Sequence, residues 1–206
     1  HSNAVLTTNL TMNLTRVTER ADVLCLHIED SASALDVVHS APAGRIADIG
    51  SGAGYPGVIL SILTGRDTTL VESIQKKANF LTAIAAELAL SVDVVADRAE
   101  HLALTSAEEY AVVVARALAS LPALVELSAP LLCMGGRLVA MKGPIEVDEI
   151  ARGDKAATTC GLERSALKRF ELSNGDRRTI MCYTKVGKPR VRLPRRSGMA
   201  QRSPLA

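Results

Sequence analysis

Aromatic side chains are almost missing from this chain: it has no tryptophan, three tyrosines and two phenylalanines in 206 residues. A nucleic-acid surface built on repeated aromatic stacking is therefore excluded, and aliphatic residues and alanine must fill the core. Cysteine is scarce and scattered (Cys25, Cys133, Cys160, Cys182), with no Cys-x-x-Cys pair and no paired histidines. Neither a disulfide framework nor a metal site is expected; the thiols read as buried or incidental groups of a reducing cytosol. No apolar run approaches the roughly 18 residues of a membrane span. No secretory signal is visible, so a cytoplasmic location is expected and the glycosylation pattern at Asn9-Leu-Thr11 and Asn13-Leu-Thr15 is read as chance. His1-Ser2-Asn3-Ala4 reads as a tag remnant and is set aside.

What is present is ample for one α/β domain with short appendages, since 48% of residues are hydrophobic. The net charge of +2 hides an asymmetry. Seven basic residues and no acid lie between Lys185 and Ala206, and the remainder carries about −5. A basic tail on an acidic body suggests a polyanionic partner such as RNA, or else a solvated terminus.

The chain divides into an N-terminal helical segment (5–43), a main domain (44–186) and the basic tail (187–206). Strands and helices alternate in the main domain. A strand runs into Asp48 and an apolar helix follows at Val58–Leu63. Then come a strand at Thr68–Glu72, a helix at Ser73–Leu90 with Ser73 as N-cap, and strands at Val92–Ala96 and Ala111–Ala115. Ser120 and Pro122 open a helix to about Leu132, Gly135-Gly136 leads into a strand at Arg137–Met141, and Gly161 stops a helix begun at Pro144. Strands near Ser165–Leu172 and Arg178–Val186 flank the hairpin signal Asn174-Gly175. The pattern predicts a mostly parallel sheet with an antiparallel edge strand, which binds ligands beyond the carboxyl ends of its strands.

One such end is Asp48-Ile-Gly50-Ser-Gly52-Ala-Gly54-Tyr55-Pro-Gly57. Gly52-x-Gly54-x-x-Gly57 with Glu72 downstream matches a dinucleotide fingerprint. Asp48, two residues ahead of Gly50, argues against a pyrophosphate and for a ligand bearing an ammonium group. S-adenosylmethionine has that group and no phosphate. Glu72 suits ribose hydroxyls in either case, and Ala99-Glu100 lies where an adenine would meet backbone amides, though an ordinary loop reads equally well there.

The chain resembles the bacterial 16S rRNA guanine-N7 methyltransferases of the RsmG (GidB) type along nearly its whole length. The resemblance rests on Asn13-Leu-Thr15, His27-x-x-Asp30-Ser31, the glycine stretch through Gly57, Lys76-Lys77-x-x-Phe80-Leu81, Arg98-Ala99-Glu100 and Ala115-Arg116-Ala117-x-Ala119-Ser120. Gly135-Gly136-Arg137, Lys142-Gly143, Pro194-Arg195-Arg196-x-Gly198 and Pro204-Leu205 complete it. It implies a class I S-adenosylmethionine-dependent fold, Rossmann-like with seven strands, and methylation of the guanine at position 527 (usual bacterial numbering) of small-subunit rRNA; a monomer is expected. It places cofactor contacts on Gly50, Tyr55, Ala99, Glu100 and Arg116. Tyr55 stands where the family more often has phenylalanine or leucine.

Guanine N7 carries a free in-plane lone pair, so no general base is needed and His39 and His101 are read as incidental. Arg116 would hold the methionine carboxylate or the guanine, or form a structural ion pair with Asp48 or Glu100. Lys142 would meet RNA phosphate or serve as an ordinary strand-end lysine, and Arg195 and Arg196 are expected on RNA phosphate. Two alternatives stay open: a class I methyltransferase with another substrate, and a non-catalytic RNA-binding assembly factor.

Overall fold

The apolar run after Tyr110 becomes the middle of β4 (Tyr110–Arg116), in which Val112, Val113, Val114 and Ala115 have no exposed surface. Such a strand is stable only with both faces covered. A computed structural model describing residues 1–206 supplies the cover. The other strands are β1 (Arg45–Ile49), β2 (Thr68–Val71), β3 (Val92–Val95), β5 (Leu132–Lys142), β6 (Leu162–Glu171) and β7 (Arg177–Lys185). They form one sheet in the order β3-β2-β1-β4-β5-β7-β6. The first five strands are parallel, whereas β7 runs antiparallel to both β5 and β6. The antiparallel strand thus lies one place in from the edge, because the Asn174-Gly175 hairpin folds β6 to its outer side. Both Leu172 N–H to Asp176 O and the left-handed Gly175 mark that turn.

Alternation along the strands sorts the core. Ala47, Ile49, Val113 and Ala115 face α7 (Ala99–Thr105), α8 (Leu121–Ser128) and α9 (Val147–Cys160), whereas Ile46, Val112 and Val114 face α5 (Gly57–Thr64) and the segment around Val38. Asp48 shares the parity of Ile46 and so meets the start of α5. Gly153, a weak helix former, sits in α9 because a Cβ there would lie 2.6 Å from Leu121 Cδ2, so it permits close helix packing.

Several sequence expectations are corrected. The N-terminal segment 5–43 is not one helical run. Helix α1 (Ser2–Asn9) ends where the Asn9 amide oxygen accepts from the N–H groups of Leu14 and Thr15, which holds the chain in an irregular loop. A second helical stretch combines α2 (Arg20–Val23), a π-helical segment (Leu24–Glu29) and α3 (Asp30–Ala32), with α4 (Leu35–His39) after it. Of the residues set aside as a tag remnant, Ser2, Asn3 and Ala4 lie in α1 and His1 precedes it, with His1 Nε2 2.8 Å from Ala53 O. Ser73 does not cap α6 (Gln75–Glu87). The residue that precedes the helix is Ile74, no side chain caps its first turn, and the Glu72 carboxylate accepts from Ile74 N–H at 2.7 Å. Strand β5 starts five residues early, at Leu132, with Gly135 inside it. The basic tail packs back onto the domain through α10 (Met199–Arg202), which buries Ala200.

Candidate active site at the carboxyl edge of the sheet

Strand order reverses between β1 and β4, since β2 lies on one side of β1 and β4 on the other. The crevice beyond their carboxyl ends is where such sheets bind ligands. It is bounded by the glycine loop after β1 and by Arg116 at the end of β4.

The loop is shaped by two buried acids. Asp48 is fully buried; its Oδ2 accepts from Gly57 N–H at 2.9 Å, while Oδ1 has no partner. Burial pushes its carboxyl up to about 7, against the pull of the Gly57 N–H and the positive charge of Arg116. A Cβ on Gly57 would stand 2.6 Å from Asp48 Oδ2, so only glycine lets the helix start approach this acid. Glu72, also buried, accepts from Gly52 N–H at 2.9 Å and so ties the end of β2 to the loop. Gly50, Gly52 and Gly54 have φ of 77°, 58° and 94°, a left-handed path open to glycine.

Ala99 and Glu100 open α7 across the crevice and, with Gly50 and Leu118, line a small cavity. Glu100 Oε1 accepts from Gly198 N–H at 2.7 Å, so this acid also anchors the tail. The structure therefore brings Gly50, Ala99 and Glu100 to one cavity, with Asp48 beneath the loop and Glu72 tied to it at Gly52.

Arg116 is held differently from either expected ion pair. Its Nη1 donates to Leu26 O at 2.7 Å and to Asp30 Oδ2 at 3.0 Å, and Nη2 lies 3.1 Å from His27 Nδ1. Its partner is Asp30, not Asp48 or Glu100. The π-helical segment turns its wide backbone toward β4 here, which brings Leu26 O and His27 onto the guanidinium. Burial and Arg116 depress the His27 imidazole to about 4, so it is neutral at pH 7. Its Nδ1 also lies 3.0 Å from Leu26 O, and its Nε2 lies 2.8 Å from Thr15 Oγ1. Tyr55 is buried and stacks on His27 with centroids 4.3 Å apart, while its hydroxyl lies 3.0 Å from Ser2 Oγ. One face of the Tyr55 ring is thus covered by His27.

The cations expected on RNA divide. Lys142 Nζ pairs with Glu149 at 2.9 Å and donates to Ala119 O at 3.0 Å, which fixes the loop after Arg116 against α9. Arg195, expected on phosphate, is engaged within the protein. Its guanidinium makes a two-pronged pair with the buried Glu126 at 2.6 Å on each prong, so its charge is spent inside the protein. Arg196, its neighbour, is exposed. Sequence reasoning assigned no role to His27, Asp30 or Arg178. The only signal for the first two was the motif His27-x-x-Asp30-Ser31; nothing distinguished Arg178 from other strand arginines.

The comparisons with known proteins concern the fold and the family. Among solved structures, geranyl diphosphate methyltransferase in complex with GPP and sinefungin superposes with a TM-score of 0.60 at 15% identity, covering 77% of this chain and 78% of that one. A Burkholderia thailandensis 1,6-didemethyltoxoflavin-N1-methyltransferase with bound S-adenosylhomocysteine gives 0.59 at 14% identity, covering 78% of each chain. At such identities the likeness establishes the fold. Sequence relatives lie nearer. The ribosomal RNA small subunit methyltransferase G of Symbiobacterium thermophilum is 37% identical, covering all of this chain and 87% of the relative. That of Chloroflexus aggregans is 40% identical over 94% of this chain and 82% of the relative. A sequence model described as GidB, rRNA small subunit methyltransferase G, matches residues 1–181. The chain belongs to the GidB family of small-subunit rRNA methyltransferases.

Proposed function

We propose that this protein transfers a methyl group from S-adenosylmethionine to N7 of a guanine in small-subunit rRNA, working as a monomer in the cytoplasm. No helix is long and apolar enough to cross a membrane. The observation that carries the cofactor reading is Asp48. A buried carboxylate with one orphaned oxygen beneath a glycine loop suits a ligand that offers an ammonium donor and no phosphate. The cofactor, when bound, supplies an activated methyl on a sulfonium. Asp48 would hold its amino group and Glu72 its ribose, since each oxygen of Glu72 keeps a lone pair beyond its backbone bond. The Ala99–Glu100 backbone would flank the adenine.

The protein's own work is positioning. N7 has no proton to lose, so the groups at the crevice need only align acceptor and donor, and alignment can supply much of the acceleration. Arg116, clamped by Leu26 O, His27 and Asp30, is a rigid cation at that edge. Lys142 stands beside it, and Arg196 is available to phosphate. The test is transfer of a labelled methyl group to small-subunit rRNA, mapped by loss of N7 reactivity at one guanine. Transfer to protein or small molecules alone would refute the reading, and calorimetry with S-adenosylhomocysteine separates a non-catalytic relative from an enzyme.

A further inference from the structure

A cavity of about 460 Å³ opens beside the crevice, between the helical stretch 20–32 and the ends of β4, β5 and β7. His27, Asp30, Arg116, Lys142, Asp176 and Arg178 supply its polar lining. That is room for a nucleotide extruded from a folded RNA, which a base must be before chemistry on it. Three cations suit its phosphate and carbonyl. The acids need another explanation, and they differ. Asp176 lies on the rim, half-exposed and 3.3 Å from Arg178 Nη2. Asp30 is buried at the wall, with a side chain only 7% exposed.

The two oxygens of Asp30 are not equivalent. Oδ2 faces Arg116 Nη1 at 3.0 Å and Arg178 Nε at 3.3 Å. Oδ1 accepts no hydrogen bond from the protein, yet unlike Asp48 Oδ1 it is not among the atoms sealed from solvent. The arrangement holds a carboxylate rigidly by one oxygen and presents the other as a vacant acceptor on a cavity otherwise rich in donors.

We infer that Asp30 selects guanine, its Oδ1 accepting a hydrogen bond from the exocyclic N2 amino group of the target base. This rests on the functional reading above. The chemistry fits the orientation that reading requires. In guanine N7 points away from the N2 side of the ring, so a base held by its amine turns N7 away from Asp30 and toward the crevice. Adenine has no amine at C2 and leaves Oδ1 unpaired in a confined site. The two guanidiniums on Oδ2 fix the carboxylate's direction, so Arg178 acts as a positioning residue through Asp30.

The test compares small-subunit rRNA carrying guanine or inosine at the target position, since inosine lacks only the N2 amine. A lost hydrogen bond to a charged acceptor predicts that kcat/KM for inosine is lower by about ten- to a hundredfold in the unaltered enzyme. In Asp30→Asn the guanidiniums draw the amide oxygen, its NH2 faces the cavity, and the preference should collapse to within about twofold. Asp176→Asn should keep it. S-adenosylhomocysteine binding reports that each variant is folded. Equal rates on guanine and inosine in the unaltered enzyme overturn the inference and leave the functional reading standing, as does an undiminished preference in a folded Asp30→Asn. No transfer to the guanine RNA overturns both.

Discussion

The pair Arg195–Glu126 offers a direct measurement of what holds the tail. Glu126 lies on α8 with its side chain 3% exposed, and Arg195 donates to both of its oxygens at 2.6 Å. Arg195 also donates to Ser203 O at 2.7 Å, and Leu205 N–H reaches Glu126 at 3.2 Å, so one acid gathers the last dozen residues. In Arg195→Ala the carboxylate stays buried with only the Leu205 N–H. Breaking a buried pair on one side costs about 3–5 kcal/mol. Arg195 keeps 23% of its side chain exposed, so water replaces part of the loss and about 2–3 kcal/mol remains. A domain of this size loses about 2–4 °C in Tm per kcal/mol, which gives a fall of about 4–12 °C by scanning calorimetry. Glu126→Gln should fall by a similar amount, and the double variant by less than the sum, because the second change removes a charge already orphaned. An Arg195 spent on RNA phosphate gives the opposite pattern: unchanged Tm and a salt dependence of RNA binding shallower by about one ion. A Tm within about 1 °C of the unaltered protein would refute the clamp.

Three further outcomes follow from the site. Asp48 is held well above the ordinary carboxylate range, to about 7; a raised carboxyl favours the folded state at low pH and loses that contribution as pH rises through 7. The cofactor-free protein should therefore lose Tm between pH 5 and pH 8, and Asp48→Asn should flatten that slope while weakening S-adenosylhomocysteine binding; parallel pH profiles would contradict this. Arg116→Ala should abolish methyl transfer yet leave a folded protein by circular dichroism, and near-normal turnover would sink its positioning role. Gly57→Ala forces a methyl against the Leu70 side chain and Asp48; overpacking of that kind costs about 1–3 kcal/mol, and an unchanged Tm would show that the loop yields.

What could be read from the sequence was what the local pattern determines. The Val112–Ala115 run, the glycines after Asp48, Gly161 as a helix stop and the Asn174-Gly175 turn each act within a few residues, and each stands where expected. The site's second half was hidden for a physical reason. Arg116 meets Leu26, His27 and Asp30 across separations of 90, 89 and 86 residues, and Arg178 reaches Asp30 across 148. Those contacts depend on how the π-helical segment docks on the sheet edge, and no periodicity encodes that. Ser73 was misread because α6 starts two residues later than expected, at Gln75 after Ile74, so the serine lies outside the reach of its first turn.

The tail shows how counting charge misleads. Of the seven cations from Lys185 onward, Lys185 itself, the last residue of β7, is fully buried, its Nζ donating to Glu108, Ala129 O and Leu132 O at 2.7–3.0 Å, and Arg195 is clamped by Glu126. Their partners lie 77 and 69 residues away, so composition registers two free charges where the fold has two internal pairs. Lys188, Arg190, Arg192, Arg196 and Arg202 remain exposed, and the case for RNA attraction rests on these five. The contrast is sharpest between neighbours, since Arg195 turns inward and Arg196 outward within one Pro-Arg-Arg step. Replacing both together would lower stability and RNA affinity at once and could not apportion either. Taken singly, Arg196→Ala should leave Tm unchanged and make the salt dependence of RNA binding shallower by about one ion. Arg195→Ala should lower Tm and disturb RNA binding only as far as the tail detaches. If Arg196→Ala leaves the salt slope unaltered, the outward arginine is a solvated charge, and the RNA path must be sought at the cavity lined by Arg116, Lys142 and Arg178.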